Sequence, residues 1–96
     1  MSDEETLYEK GARNLNEVYA GDVVAMPEGT MPFIDVMTRT LFGEVWDRDV
    51  LSIRDRRLLL MGVIAAQGQS DIWKIQAKSA LKRGELSADE LRELSL

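Results

Sequence analysis

The sequence predicts an all-α protein, and three observations carry that expectation. Apolar residues recur at helical spacing in segment after segment, with serine or proline near segment starts and glycine near their ends. No stretch alternates apolar and polar residues between turn signals, so strands are not expected. The chain of 96 residues is 45% apolar, an ordinary share for a globular domain.

The elements follow in order. The first helix is expected from about Asp3 to Tyr19, stopping at Ala20-Gly21. Ser2 or Asp3 would cap it, and Glu4 and Glu5 suit its positive end. Leu7, Leu15 and Val18 give it an apolar side, with the small Ala12 between. The segment GDVVAMPEGTMP holds both prolines. Val23, Val24 and Met26 could make a short helical turn there before Pro27 and Gly29 break it.

The second helix is expected from about Pro32 to Phe42, with Gly43 as its end and GEVWDRDV as a loop or short turn. Pro32 fits a first turn, where a missing N–H costs nothing. The third begins at Ser52 and ends at Gln67-Gly68; Ser52-Ile53-Arg54-Asp55 resembles a capping box with Asp in place of Glu. The fourth runs from Ser70, as cap, to Arg83, with Gly84 as its stop. Lys82 and Arg83 in its last turn suit the negative end of the helix dipole. The fifth opens on the capping pattern Ser87-Ala88-Asp89-Glu90 and makes barely two turns before Leu96. No stop signal follows it, so either the native chain is short or a closing segment is missing.

The length fits one domain with a modest core. Seventeen acids against twelve bases give a net charge of -5, which argues against a nucleic-acid partner. Cysteine is absent, which excludes disulfides, thiolate chemistry and cysteine-ligated metals. Histidine is also absent, which removes the commonest general base and transition-metal ligand. No metal and no cofactor is expected. MSDEETLYEK has no apolar core of the kind a signal peptide needs. The longest apolar run, Leu58 to Ala66, is less than half the ~20 residues a membrane span requires. The expectation is a soluble, cytoplasmic protein with no membrane partner.

Helical phase singles out a few residues. At 100° per residue, the apolar side chains from Leu58 to Ala66 point all round the third helix. A helix of that kind must be covered on every side. Either it is central in the monomer or another subunit covers one face, and the small core of a short chain tilts the balance towards a homo-oligomer. Arg57 shares a stripe with Ile53, Leu60 and Ile64 and so faces inward. Its ordinary role is a packed stem with a solvated or paired head; its functional role is to grip a carboxylate with a planar fork. On the fourth helix, Gln76 aligns with Ile72 and Ala80 inside an apolar arc flanked by Trp73, Ala77 and Leu81. An unpaired buried amide costs about 1–3 kcal/mol, so Gln76 needs a partner, and Arg57 is a candidate.

Taken together, LYEKGARNLNEVYAG, FGEVWDRDVLSIRDRRLLL and SDIWKIQAKSALKRGELSADELREL resemble the carboxymuconolactone decarboxylase family of the alkylhydroperoxidase-D-like superfamily. The resemblance covers most of the chain and implies one all-helical domain, usually assembled as a trimer or hexamer. It also implies a lyase of aromatic catabolism, acting on a small carboxylated lactone or keto acid. Peroxidase relatives use a CxxC pair, a glutamate and a histidine. Here the histidine position falls on Gln76, the glutamate on Arg57, and the CxxC positions on Gln69 and Ile72. Trp46 and Arg48 are retained, Asp49 stands where the family has proline, and the closing helix would lie beyond Leu96.

These departures exclude dithiol peroxide reduction. They leave a pocket with altered equipment, in which Trp46, Arg48, Arg57, Trp73 and Gln76 would bind a small carboxylic acid. No catalytic residue is fixed; Glu44 and Gln76 are the candidates, with Glu44 or Asp47 as a proton source. The alternative is a non-catalytic protein of the same fold that binds a small acid or serves as an oligomeric partner. A third reading is a fragment without a complete site.

Overall fold

In the computed structural model, residues 4–95 are described, and among them no strand occurs. The helical runs are α1 (Leu7–Val18), α2 (Pro32–Val36) passing directly into a π-helix (Met37–Val45), α3 (Ile53–Ala66), α4 (Ser70–Lys82) and α5 (Ala88–Leu94). No helix among the described residues is long and apolar enough to cross a membrane. The chain divides into two compact units, Met1–Val50 and Leu51–Leu96.

In the first unit, α1 starts later than its acidic lead-in suggests. Thr6 is the cap: its hydroxyl accepts the Glu9 N–H at 3.1 Å, and the Glu9 carboxylate accepts the Thr6 N–H at 2.8 Å. This reciprocal box satisfies two of the helix's orphan donors, so the helix begins at Leu7 rather than Asp3. Ser2 and Asp3, the expected caps, lie outside the described residues. Glu5 is instead paired with Arg13 at 3.1 Å. Tyr8, Leu15 and Val18 form the buried side, with Tyr8 taking the place expected of Leu7. Between α1 and α2 the chain makes turns and bends, and Val23, Val24 and Met26 form no helical turn. The Tyr8 hydroxyl donates to the Met26 carbonyl there.

The second helical run corrects the expected stop at Gly43. It continues through Gly43 and ends at Val45, so GEV is helical and only the remainder of GEVWDRDV is turn and bend. The glycine serves packing, not termination. A Cβ on Gly43 would lie 2.9 Å from Leu7 Cδ1, and one on Gly11 would lie 1.8 Å from the Thr38 carbonyl oxygen. The two bare backbones let α1 and the π-helix touch. A π-turn shifts the hydrogen-bond register to i+5, as in Trp46 N–H to Leu41 O at 2.9 Å. Asn14 Nδ2 donates to the Phe42 carbonyl at 2.8 Å across the same contact. The Phe42 and Trp46 rings stack with centroids 6.2 Å apart, and Tyr19 meets Phe42 at 6.0 Å.

In the second unit, Ser52 caps α3 by accepting the Asp55 N–H at 3.0 Å. The fourth helix corrects another expectation: Ser70 is its first residue, not its cap. Gln69 holds the cap position and makes no side-chain cap bond. The turn through Gly68 is tight, with Ser70 N–H already donating to Gly68 O at 3.1 Å, so the helix starts one residue early. The α5 start is a full capping box between Ser87 and Glu90, as the sequence pattern predicts. Met61, Ala80 and Leu86 form the core of this unit, with Leu58, Trp73, Ala77 and Leu91 packed around them.

The far side of α3 is not covered by the described residues of its own unit. Leu59 is 69% exposed and Val63 49%, and Gly62 and Ala66 beside them are exposed too. These four recur at i, i+3, i+4 and i+7, one continuous apolar stripe.

A buried arginine cluster as the candidate functional site

α3 turns Arg57, Met61 and Ile64 inward, and α4 turns Gln76, Ser79 and Ala80 inward. Arg57 is 0% exposed and Gln76 2%. The two meet: Arg57 Nη1 donates to Gln76 Oε1 at 2.8 Å. Gln76 must present its oxygen, because a guanidinium carries only donors. The amide that phase placed in an apolar arc therefore has the partner it requires.

A third member joins them. Arg57 Nε donates to Glu85 Oε1 at 2.6 Å, and Arg83 Nε donates to Glu85 Oε2 at 2.5 Å. The Glu85 side chain is 8% exposed, while that of Arg83 is 25% exposed. The backbone of Glu85 is engaged as well, its carbonyl accepting Arg54 Nε at 2.9 Å and its N–H donating to Ala80 O at 2.9 Å. A guanidinium withdrawn from water must be paired and hydrogen-bonded or its desolvation is prohibitive. Glu85 and Gln76 meet that requirement. Nearby on α4, the Ser79 hydroxyl is buried without a hydrogen-bond partner among the described residues.

Glu85 escaped the sequence reading. It lies in the short turn after α4, where no periodicity assigns a face. One signal was present: an inward arginine demands a carboxylate, and Glu85 is the first acid after α4. Spacing alone could not choose it over Asp89 or Glu90.

The other expected site residues are placed as follows. Trp73 belongs to the second unit and lines a hollow of about 220 Å³ with Ile64, Ala65, Gly68, Gln69 and Ser70. Arg57 and Gln76 do not line that hollow. Glu44, Trp46 and Arg48 belong to the first unit. Glu44 is exposed on the π-helix, Trp46 is buried against Phe42, and Arg48 is exposed with its backbone N–H donating to Val45 O at 3.2 Å. Asp47 is engaged in a local network, 3.0 Å from Lys10 Nζ and 3.0 Å from Asn14 Nδ2. Hydrogen bonds from Asn14 and Lys10 hold its carboxyl below the usual range. Among the described residues, no three histidine, cysteine, aspartate or glutamate side chains gather as a metal would require.

The second unit thus contains an arginine-carboxylate-amide cluster in the interior of an all-helical protein. It can hold a planar anion with two oxygens, and the anion it holds is the chain's own. The chain belongs to the carboxymuconolactone decarboxylase family: the model described as Carboxymuconolactone decarboxylase family matches residues 32–96, well over half of the chain. No curated protein and no solved structure matches the chain.

Proposed function

We propose that this chain is a non-catalytic member of the family that binds a small carboxylic acid at Arg57 and works as a homo-oligomer. One observation carries the acid-binding reading: Arg57, standing where the resemblance sets a reactive glutamate, is buried and already grips a carboxylate at 2.6 Å. The amide at the histidine position cannot titrate near neutral pH, and it serves to aim the guanidinium. The apolar stripe of Leu59, Gly62, Val63 and Ala66 supports the oligomer, since such a stripe on a small chain is suited to a second copy. The family match also runs across the division between the two units, which supports one domain rather than two.

A second reading, a decarboxylase acting on a small carboxylated lactone or keto acid, is favoured by Glu85. Its carboxylate marks where a substrate carboxylate would meet Arg57; the bond to that carboxyl carbon breaks, its electron pair stays on the substrate, and water supplies the proton. Purified protein incubated with carboxymuconolactone, and separately with pyruvate, distinguishes the two. Binding without chemistry gives a rise in melting temperature and no carbon dioxide; carbon dioxide release abolished by Arg57→Met establishes the second reading. Absence of any stabilisation by either acid defeats the first.

A further inference from the structure

The geometry points to Glu85 as a built-in occupant of a carboxylate receptor: Arg57, oriented by Gln76, and Arg83 hold its carboxylate in the free chain, and an external carboxylate enters by replacing it. The inference rests on the small-acid reading above and adds what the site contains before ligand arrives.

Three features carry it. First, the receptor is two-pronged. Each oxygen of Glu85 takes its own guanidinium nitrogen, at 2.6 Å from Arg57 and 2.5 Å from Arg83, and Gln76 fixes the orientation of Arg57 from the other side. This is recognition of a carboxylate by its planar pair of oxygens. Second, the charges permit exchange but not simple departure. Two guanidiniums share this carboxylate, so its loss would take a charged partner from a fully buried Arg57. A neutral ligand restores no charge; another carboxylate does.

Third, the receptor outlasts its occupant. The Glu85 backbone is pinned by Ala80 O and by Arg54 Nε, each at 2.9 Å, and Leu86 next to it is buried in the core with Met61 and Ala80. Rotation of one side chain therefore empties the cradle without undoing the turn. Arg83 is the more exposed of the two cations, so exchange starts at its end.

An occupant tethered to its receptor competes at millimolar effective concentration or above, so external acids must bind the native chain weakly unless the tether is released. Acetate titrations of the native chain, Glu85→Gln and Glu85→Ala test this, by calorimetry and melting temperature at constant ionic strength, with acetamide as the neutral control. The expected result is acetate binding at least tenfold tighter in both variants than in the native chain, and no response to acetamide. Adding Arg57→Met to Glu85→Gln should abolish it. Equal acetate affinity in the native chain and Glu85→Gln overturns the inference, as does binding that survives Arg57→Met. Where Glu85→Ala does not fold, Glu85→Gln, which keeps the shape, decides alone. Acetate binding in the variants but no acid binding in the native chain would leave the receptor standing and defeat the small-acid function instead.

Discussion

Replacement of Arg57 by methionine tests the cluster most directly. The substitution keeps an unbranched apolar stem of similar reach and deletes the guanidinium. The bonds lost include Nε to Glu85 at 2.6 Å and Nη1 to Gln76 at 2.8 Å. Breaking a buried pair by removing one partner costs about 3–5 kcal/mol, chiefly because the remaining charge is left unpaired. Glu85 is not left wholly alone, since Arg83 still reaches its second oxygen at 2.5 Å from a partly exposed position. The cost should therefore fall near about 3 kcal/mol, the lower end of that range. Glu85→Gln removes the opposite charge and should cost less, because an amide oxygen can still accept from Arg57. The double variant then decides whether the two effects share a cause. A contacting charged pair should give a coupling of about 0.5–3 kcal/mol, so the double variant is more stable than the sum of the singles implies. Urea denaturation followed by far-UV circular dichroism, at one fixed protein concentration, reads all four proteins. Arg57→Met within about 1 kcal/mol of the native chain, the range of an exposed pair, would refute the assignment of Arg57 to a desolvated pair.

Three further outcomes are expected. Gly11→Ala forces a methyl to within 1.8 Å of the Thr38 carbonyl, and backbone cannot yield as a side chain can; it should cost at or above the ~3 kcal/mol upper end usual for overpacking. Gly62→Ala, which meets nothing within 4 Å, should instead gain about 0.5–1 kcal/mol, and reversal of that order in thermal melts would contradict the packing. For Asp47, the folded carboxyl is held below its ordinary value of 3.8, chiefly by Asn14 and then Lys10. Its stabilisation is thus complete above the unfolded value and lost as pH falls through the folded one. Asp47→Asn should flatten the acid limb of stability below about pH 4, and an unchanged limb would discount the network. Finally, the proposed homo-oligomer predicts that Leu59→Glu with Val63→Glu lowers the sedimenting mass while helical signal persists; a mass unchanged by the pair, or already that of a monomer in the native chain, would remove the α3 stripe as an interface.

Much of the helical plan is written in local chemistry. Ser52 and Ser87 announce α3 and α5 because their caps are formed by residues three positions on, within one window of sequence. The inward phase of Arg57 and Gln76 is likewise a matter of 100° per residue, and burial of both follows. What escaped depends on distant chain. Gly43 reads locally as a helix stop, yet its bareness answers Leu7 on another helix. The π-register of Met37–Val45 has no sequence period of its own. Glu85 sits in a turn, where side-chain direction is set by the backbone bonds of its neighbours rather than by any repeat.

A buried ion pair is a poor device for stability, because well-packed apolar residues of similar volume usually serve as well or better. The Arg57, Gln76 and Glu85 cluster therefore invites a replacement that separates folding from use. Arg57→Met, Gln76→Leu and Glu85→Leu together remove every member of the trio and leave no buried charge among them; Arg83, already a quarter exposed, can turn to water. If the cluster exists for the fold, the triple variant should lose several kcal/mol of stability, as the single break does. If it exists for a ligand, the variant should match or exceed the native chain by up to about 4 kcal/mol and lose all response to small acids. The second outcome is the expected one. A variant that is both less stable and still stabilised by acetate would place the acid elsewhere and reduce the cluster to a polar element of the core.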